Sequence, residues 1–395
     1  MAGRRRVRIA LDYTPALRQR AGVGRFTRSL GTALIGQLDD DERLILWNAG
    51  PDETRRQAAV MAAGNQRVVR RRVPVPERWL TIAWHQLRLP VPVERFIGDV
   101  DLVHAPDFVA PPSQAPAIVT IHDLSYLITP EFAFPNLRRY LSQAVPRTLE
   151  RVSRIVAVSQ TTANDLSERY RIDPGRIAVI PNGVDPMFRP TDPDEARQTI
   201  ARLGVREPYV LIVGTIEPRK NHQALLRAFE QVHTANPEVS LVIAGSPGWL
   251  SESIMDAIGR HAQRLPVQHL RNVDDAALPA LYARSIALVY PSWYEGFGLP
   301  VVEAMACGTA VITSDRGATA EVAGDGALLV SPDDTGSIAR AMAQVYGDPE
   351  LRARLIEHGI DRAKEFSWDA AASAYRRLYR DVAVTARRFQ PNGTA

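Results

Sequence analysis

Apolar residues recur along this chain in short runs, separated by longer stretches in which they return every three or four positions. That alternation predicts strand and helix in turn. Residues 7–11, Val-Arg-Ile-Ala-Leu, read as a strand, and 23–38 place Phe26, Leu30, Ala33 and Leu34 at helical spacing. A second strand is expected at 44–47, followed by a polar, helix-like segment through Ala63. Further strands are expected at 100–104, 117–122, 154–159 and 177–180, with a helix at 160–170.

Between Met187 and Pro208 the chain turns polar and proline-bearing, which marks a domain junction. The pattern then restarts: strands at 209–213, 239–244, 267–270, 286–290 and 310–313, helices at 221–234 and 275–283, and a final helix from Trp368 to about residue 388. The expected fold class is α/β, with two Rossmann-like, doubly wound domains facing one another across a cleft. The expected divisions are 1–190 for the N-terminal domain, 191–367 for the C-terminal domain, and 368–390 for a closing helix. In such sheets ligands bind beyond the carboxyl ends of strands, so site residues are sought there.

A chain of 395 residues exceeds the usual size of one core, in keeping with two domains. Hydrophobic content of 45% and charged content of 23% are ordinary for a soluble globular protein. No apolar run has transmembrane length, and the segment after the basic start Met1-Ala2-Gly3-Arg4-Arg5-Arg6 is too short for a signal peptide core. The single cysteine, Cys307, rules out an intramolecular disulfide and suits a reducing cytoplasm; it is expected to pack in a helix beside Ala304, Met305 and Ala306. The net charge of +4 is modest, and no basic-aromatic pattern points to nucleic acid. Arg70-Arg71-Arg72 and the N-terminal arginines are expected to be solvated surface; they are also where weak peripheral contact with the inner face of a membrane would arise.

The densest chemistry runs from Pro291 to Gly308, directly after the apolar residues 286–290. Glu295 falls in a turn rich in glycine, Gly296 and Gly298, which lets backbone approach a ligand closely. Pro300 suits the first position of a helix and Gly308 its stop, which would put Glu303 in the first helical turn. The partner motif is Val213-Gly214-Thr215-Ile216-Glu217-Pro218-Arg219-Lys220-Asn221-His222: a strand ends, two adjacent cations follow, and Asn221 can cap a helix. Two cations at such a place form a site for a pyrophosphate, where they would neutralise charge that grows as a diphosphate departs. Weaker signals are Arg20-Ala21-Gly22-Val23-Gly24-Arg25, before the first long helix, and Thr120-Ile121-His122-Asp123-Leu124 at a strand exit. Metal-ligand spacing of the His-x-x-x-His or paired-cysteine kind is absent, as is a Gly-x-Ser-x-Gly nucleophile elbow.

Together these motifs resemble the retaining glycosyltransferases of family 4, which have the two-Rossmann GT-B fold. The likeness rests on Gly22-Val23-Gly24, His122-Asp123, Val158-Ser159, Pro181-Asn182-Gly183-Val184-Asp185, Gly214 to Lys220, and a Glu-x7-Glu signature from Glu295 to Glu303. It covers essentially the whole chain, and the wording is most similar to bacterial mannosyltransferases of polysaccharide assembly. One departure is Ala21, where the family often has a first glycine.

The resemblance implies a role for each matching residue. Arg219 and Lys220 would hold the donor diphosphate. Glu295 would bind donor-sugar hydroxyls, helped by the backbone N–H groups of Gly296, Phe297, Gly298 and Leu299. Glu303 would accept from the ribose, and His122 would contact the transferred sugar. Gly22 and Gly24 would approach the phosphates from the opposite domain, Gly214 would line the donor site, and Asn272 and Val273 would border the nucleobase. No cofactor or metal is implied. The donor would be GDP-mannose, or a UDP-hexose as the alternative, and the acceptor a glycan, lipid-linked or small-molecule hydroxyl. A nucleotide-sugar epimerase of the same fold would instead interconvert sugars without an acceptor, and a binding or scaffolding protein would hold nucleotide yet transfer nothing.

Overall fold

In a computed structural model the described residues are 6–19, 22–50 and 65–389. The helix-like segment through Ala63, the N-terminal arginines before Arg6, and Arg20 and Ala21 of the first glycine motif lie outside them.

Two all-parallel sheets carry the chain. The first is ordered β3-β2-β1-β4-β5-β6-β7, from β1 (Val7–Asp12), β2 (Glu42–Ala49), β3 (Val68–Val73), β4 (Leu102–Ala105), β5 (Ala117–Ile121), β6 (Arg154–Ala157) and β7 (Ile177–Val179). The second is ordered β10-β9-β8-β11-β12-β13, from β8 (Tyr209–Val213), β9 (Ser240–Ala244), β10 (Val267–Leu270), β11 (Ala287–Tyr290), β12 (Ala310–Ser314) and β13 (Ala327–Val330). In each sheet the order reverses once, beside β1 and β4 in the first and beside β8 and β11 in the second, and such switch points open crevices at the strands' carboxyl ends.

Burial explains why these strands read as continuous apolar runs. Along β1, Ile9 and Leu11 join one cluster while Ala10 joins another on the opposite face. Both faces are covered, as parallel sheets require. Helix α1 (Val23–Gly36) covers one face with Phe26, Leu30 and Leu34. The C-terminal helix, labelled α8 (Trp368–Phe389), returns to the same cluster with Trp368, Tyr375 and Tyr379. It is tied there by a buried chain: Thr120 Oγ1 lies 2.8 Å from His104 Nε2 and 3.0 Å from the Tyr375 hydroxyl, and the Tyr379 hydroxyl lies 2.7 Å from His104 Nδ1. Gly183 admits the start of this helix, since a Cβ there would stand 2.1 Å from the Trp368 nitrogen.

Arg70-Arg71-Arg72 forms the middle of β3, an edge strand anchored by Val73; Arg71 and Arg72 are exposed, as expected, and arginines suit an edge because they discourage further pairing. The polar stretch between Met187 and Pro208 contains the helix Pro193–Arg202, capped by Asp192 and buried through Ala196 and Ile200 in the second core. Asn221 sits at a helix start, yet its side chain does not cap it. Its backbone is left-handed (φ 58°), and its amide donates instead to the Pro332 carbonyl at 2.9 Å. Cys307 is buried, one residue past the end of its helix.

Candidate active site between the two sheets

The loops after β8 and β11 meet at the switch point of the second sheet. After β8, Gly214 takes φ 142°, a backbone open to glycine, and its N–H donates to the Ala244 carbonyl at 3.0 Å. The chain then makes a 3-10 turn, Pro218–Lys220, which delivers Arg219 and Lys220 side by side. Both cations turn inward onto Glu295 of the other loop. Lys220 Nζ stands 2.6 Å from Glu295 Oε1, and Arg219 Nη1 stands 2.7 Å from Oε2. Arg219 also donates to the Tyr294 carbonyl (2.7 Å) and Glu217 (2.7 Å), while its own carbonyl accepts from the Trp293 N–H at 2.9 Å. The Tyr290 hydroxyl bonds Lys220 and lies 3.3 Å from Glu295.

Lys220 and Glu295 are buried, 8% and 6% exposed, so these charges interact with little solvent screening. Burial pushes the Glu295 carboxyl up, but Arg219 and Lys220 beside it hold it down to about 2. Burial works against the Arg219 charge, and Glu295 and Glu217 outweigh that, leaving its pKa well above the usual value. Glu217 is pushed up by burial in spite of both cations. At neutral pH Glu295 is therefore an acceptor only, suited to hydroxyl donors and not to proton donation.

Glu303 stands apart from this cluster. The helix Leu299–Ala306 begins with Gly298 as its N-cap (φ 94°), so Pro300 is its second residue rather than its first. Glu303 is consequently the fifth helical residue, in the second turn, and the helix terminus does not explain its position. One carboxylate oxygen accepts from the Tyr282 hydroxyl at 3.0 Å; the other lies 2.8 Å from Arg25 Nη1, which reaches across from α1 of the first half. Burial raises the Glu303 pKa, opposed by Arg25 and Tyr282. The two glutamates thus have separate partners and form no acid-base couple.

The remaining predicted residues occupy four places. Gly296 permits a close approach to protein rather than leaving room for a ligand: a Cβ there would lie 1.7 Å from the His122 carbonyl oxygen of the first half. Phe297 turns its ring into the second core against Phe366, and Leu299 packs at the edge of that core. His122 sits at the end of β5, edge-on to Phe26 at 4.6 Å, with Nε2 2.7 Å from the Pro106 carbonyl. Because a carbonyl only accepts, Nε2 carries the proton and Nδ1 is left to accept. Gly22 caps α1 with φ 56°, and Gly24 admits the Gln19 carbonyl, 2.0 Å from where a Cβ would stand. Asn272 (φ 53°) and Val273 follow β10 at the rim, where Asn272 Oδ1 accepts from Ser246 at 3.0 Å.

Arg25, Glu217, Tyr282 and Tyr290 also take part in these contacts, though no motif marks them as site residues. Arg25 was legible only as part of a glycine motif, and the two tyrosines only as apolar strand and helix residues. Their importance comes from partners brought up by the fold. Among the described residues no group of three or more His, Cys, Asp or Glu is placed to hold a metal ion. Three Asp-x-Asp triplets have structural uses: Asp192 caps a helix, Asp101 accepts from the Arg8 N–H, and Asp39 pairs with Arg376. No helix among the described residues is long and apolar enough to cross a membrane.

Two parallel α/β sheets, with Arg25 of the first half paired to Glu303 of the second, make up the GT-B architecture. The chain belongs to glycosyltransferase family 4: residues 20–188 match the model for Glycosyltransferase Family 4 and residues 195–362 that for Glycosyl transferases group 1. It is 30% identical over 270 residues to the O-antigen chain mannosyltransferase B of Escherichia coli, covering 68% of this chain and 71% of that protein. It is 32% identical over 244 residues to the D-inositol 3-phosphate glycosyltransferase 2 of Catenulispora acidiphila, covering 59% of this chain but only 57% of that one. In fold it is similar to a sucrose-phosphate synthase from Thermosynechococcus elongatus, with a TM-score of 0.76 at 23% identity over 96% of this chain and 100% of that one.

Proposed function

We propose that this glycosyltransferase moves a hexose from a nucleotide-sugar donor, GDP-mannose first, to a hydroxyl acceptor with retention of anomeric configuration. The observation that carries the reading is the Arg219–Lys220–Glu295 cluster at the switch point of the second sheet. Fixed buried cations there act on a departing diphosphate without reorganising at the moment of reaction. Glu295, held ionised, accepts from the hydroxyls of the donor hexose, with the backbone N–H groups of Gly296 to Leu299 around it. Glu303 accepts from the ribose, Asn272 and Val273 border the base, and Gly214 lines the approach to the phosphates. From the first half, His122 meets the transferred sugar, and Gly22 and Gly24 face the phosphates.

In the transfer step the bond between the anomeric carbon and the phosphate oxygen breaks. A bond from the acceptor oxygen forms on the same face, and the acceptor's proton passes to the departing phosphate. No protein base is required, in keeping with Glu295 and Glu303 being engaged by separate partners. The sequence likeness to a mannosyltransferase favours mannose as the sugar. The test is a thermal-shift panel of GDP-, UDP-, ADP- and dTDP-sugars, since a specific ligand raises apparent stability, followed by NMR of the product's anomeric centre. A shift with GDP-mannose and a retained anomer is expected. An inverted product would overturn the stereochemistry, and silence across the whole panel would overturn the donor assignment.

A further inference from the structure

Arg25 closes a ring of contacts that no local motif announces. Its guanidinium carbon lies 4.9 Å from the centre of the Phe188 ring; Phe188 packs edge-on to Tyr282 at 6.0 Å; Tyr282 bonds Glu303; and Glu303 pairs with Arg25. The planar guanidinium is thus fixed in two ways, by stacking on Phe188 and by Nη1 on Glu303. Its other terminal nitrogen, Nη2, is buried and has no hydrogen-bond partner among the described residues. A buried donor left unpaired is unfavourable and calls for an explanation. Here it stands beside the carboxylate proposed to read the ribose, on a side chain of the first half that pairs with Glu303.

We infer that Arg25 is a donor-binding residue supplied by the opposite domain, with Nη1 orienting Glu303 and Nη2 held ready for an oxygen of the donor's ribose-phosphate portion. This rests on the proposed donor site and adds to it. The nucleotide would be gripped from both halves at one point, so closing the cleft would complete its binding. The ligand class is a nucleoside phosphate, recognised through an oxygen that accepts.

The experiment is calorimetric titration of GDP and UDP into the full chain, with Arg25→Met, Arg25→Lys and Glu303→Gln as variants. Arg25→Met should weaken the preferred nucleotide at least tenfold, and Arg25→Lys, which keeps a cation and loses the fork, should recover part of that. The partial rescue separates a ligand contact from mere packing on Phe188, and melting curves identify any variant that fails to fold, for which the lysine variant then decides. If Glu303→Gln is weakened while both Arg25 variants bind within twofold of the parent, Arg25 has no such role. If all three variants bind like the parent, the donor site itself is wrongly placed.

Discussion

Lys220 and Glu295 face each other across 2.6 Å, from the loops after β8 and β11, and each is buried. Breaking a buried pair by removing one partner leaves an uncompensated charge. Here Arg219 remains on the second carboxylate oxygen at 2.7 Å, so the fold should tolerate a change that the chemistry does not.

Lys220→Ala should therefore lower turnover by about 100- to 1,000-fold, the usual loss for one preorganised charge-stabilising donor. The circular dichroism spectrum should be unchanged. Initial rates with GDP-mannose check this, and near-parental transfer would refute the role given to Lys220.

A second expectation concerns pH and lies in the first sheet. Asp12, at the end of β1, has its carboxyl pushed up from 3.8 to about 7, chiefly by burial, with Glu77 and Asp107 adding repulsion and bonds from Thr14 opposing. The folded state thus holds this proton more tightly than the unfolded one. Its contribution to stability is full below 3.8 and is lost as pH rises through about 7. Asp12→Asn keeps an acceptor for the Thr14 N–H, which bonds Oδ1 at 2.9 Å. The variant should be more stable than the parent at pH 8, by roughly 1 kcal/mol or more, and no more stable at pH 3.5. Urea unfolding at the two pH values measures both; lower stability at pH 8 would contradict the shift.

What the sequence disclosed and what it hid follow from the range of the interactions involved. Tyr209–Val213 coincides with β8, because a buried parallel strand is apolar throughout and needs no partner to be recognised. Arg219, Lys220 and Glu295 were legible as the cationic and acidic residues of two loops, and the fold brings them together. β3 was not legible, since Val68–Val73 carries three arginines and becomes a strand only by pairing along β2. Arg25 was likewise hidden: its partner Glu303 lies in the other half of the chain, and nothing near Arg25 encodes that contact. Glu303 falls one position further along its helix than expected, fifth rather than fourth, because the helix begins at Leu299, one residue ahead of Pro300.

Gly296 provides a test of closure by size alone. An alanine Cβ would lie 1.7 Å from the His122 oxygen and 2.7 Å from Asp123 Cβ, and a backbone carbonyl cannot rotate away. Gly296→Ala should force the two halves apart. Displacements of about 1 Å in a reacting geometry can cost a hundredfold in rate, so transfer should fall at least that far while secondary structure persists. Gly36→Ala, at a helical position with nothing within 4 Å, is the control and should leave the rate unchanged. Equal activity in the two variants would show that His122 and Gly296 need not touch.

Glu321 separates closure from folding. It lies on the helix labelled α7 (Ala318–Ala323) of the second half and accepts from the first turn of α3 (Gln160–Tyr170) in the first half: from the Gln160 N–H at 2.7 Å, the Thr161 N–H at 2.8 Å and the Thr161 hydroxyl at 2.8 Å. Helix α3 has its own cap, Ser159, which accepts from the Thr162 N–H at 3.0 Å. The helix therefore does not need Glu321 in order to form. What Glu321 satisfies are two further N–H groups that water reaches when the halves separate. A carboxylate at a helix start contributes about 1–2 kcal/mol, and here that stabilises only the closed arrangement. Glu321→Ala should accordingly lower kcat/KM for the donor by roughly 5- to 30-fold, since 1.4 kcal/mol is a factor of ten. Its melting temperature should stay close to that of the parent. Steady-state kinetics over a donor series, with thermal melts of the same preparations, check both halves of the expectation. A lower melting temperature with unchanged kinetics would make Glu321 a fold-stabilising cap and nothing more.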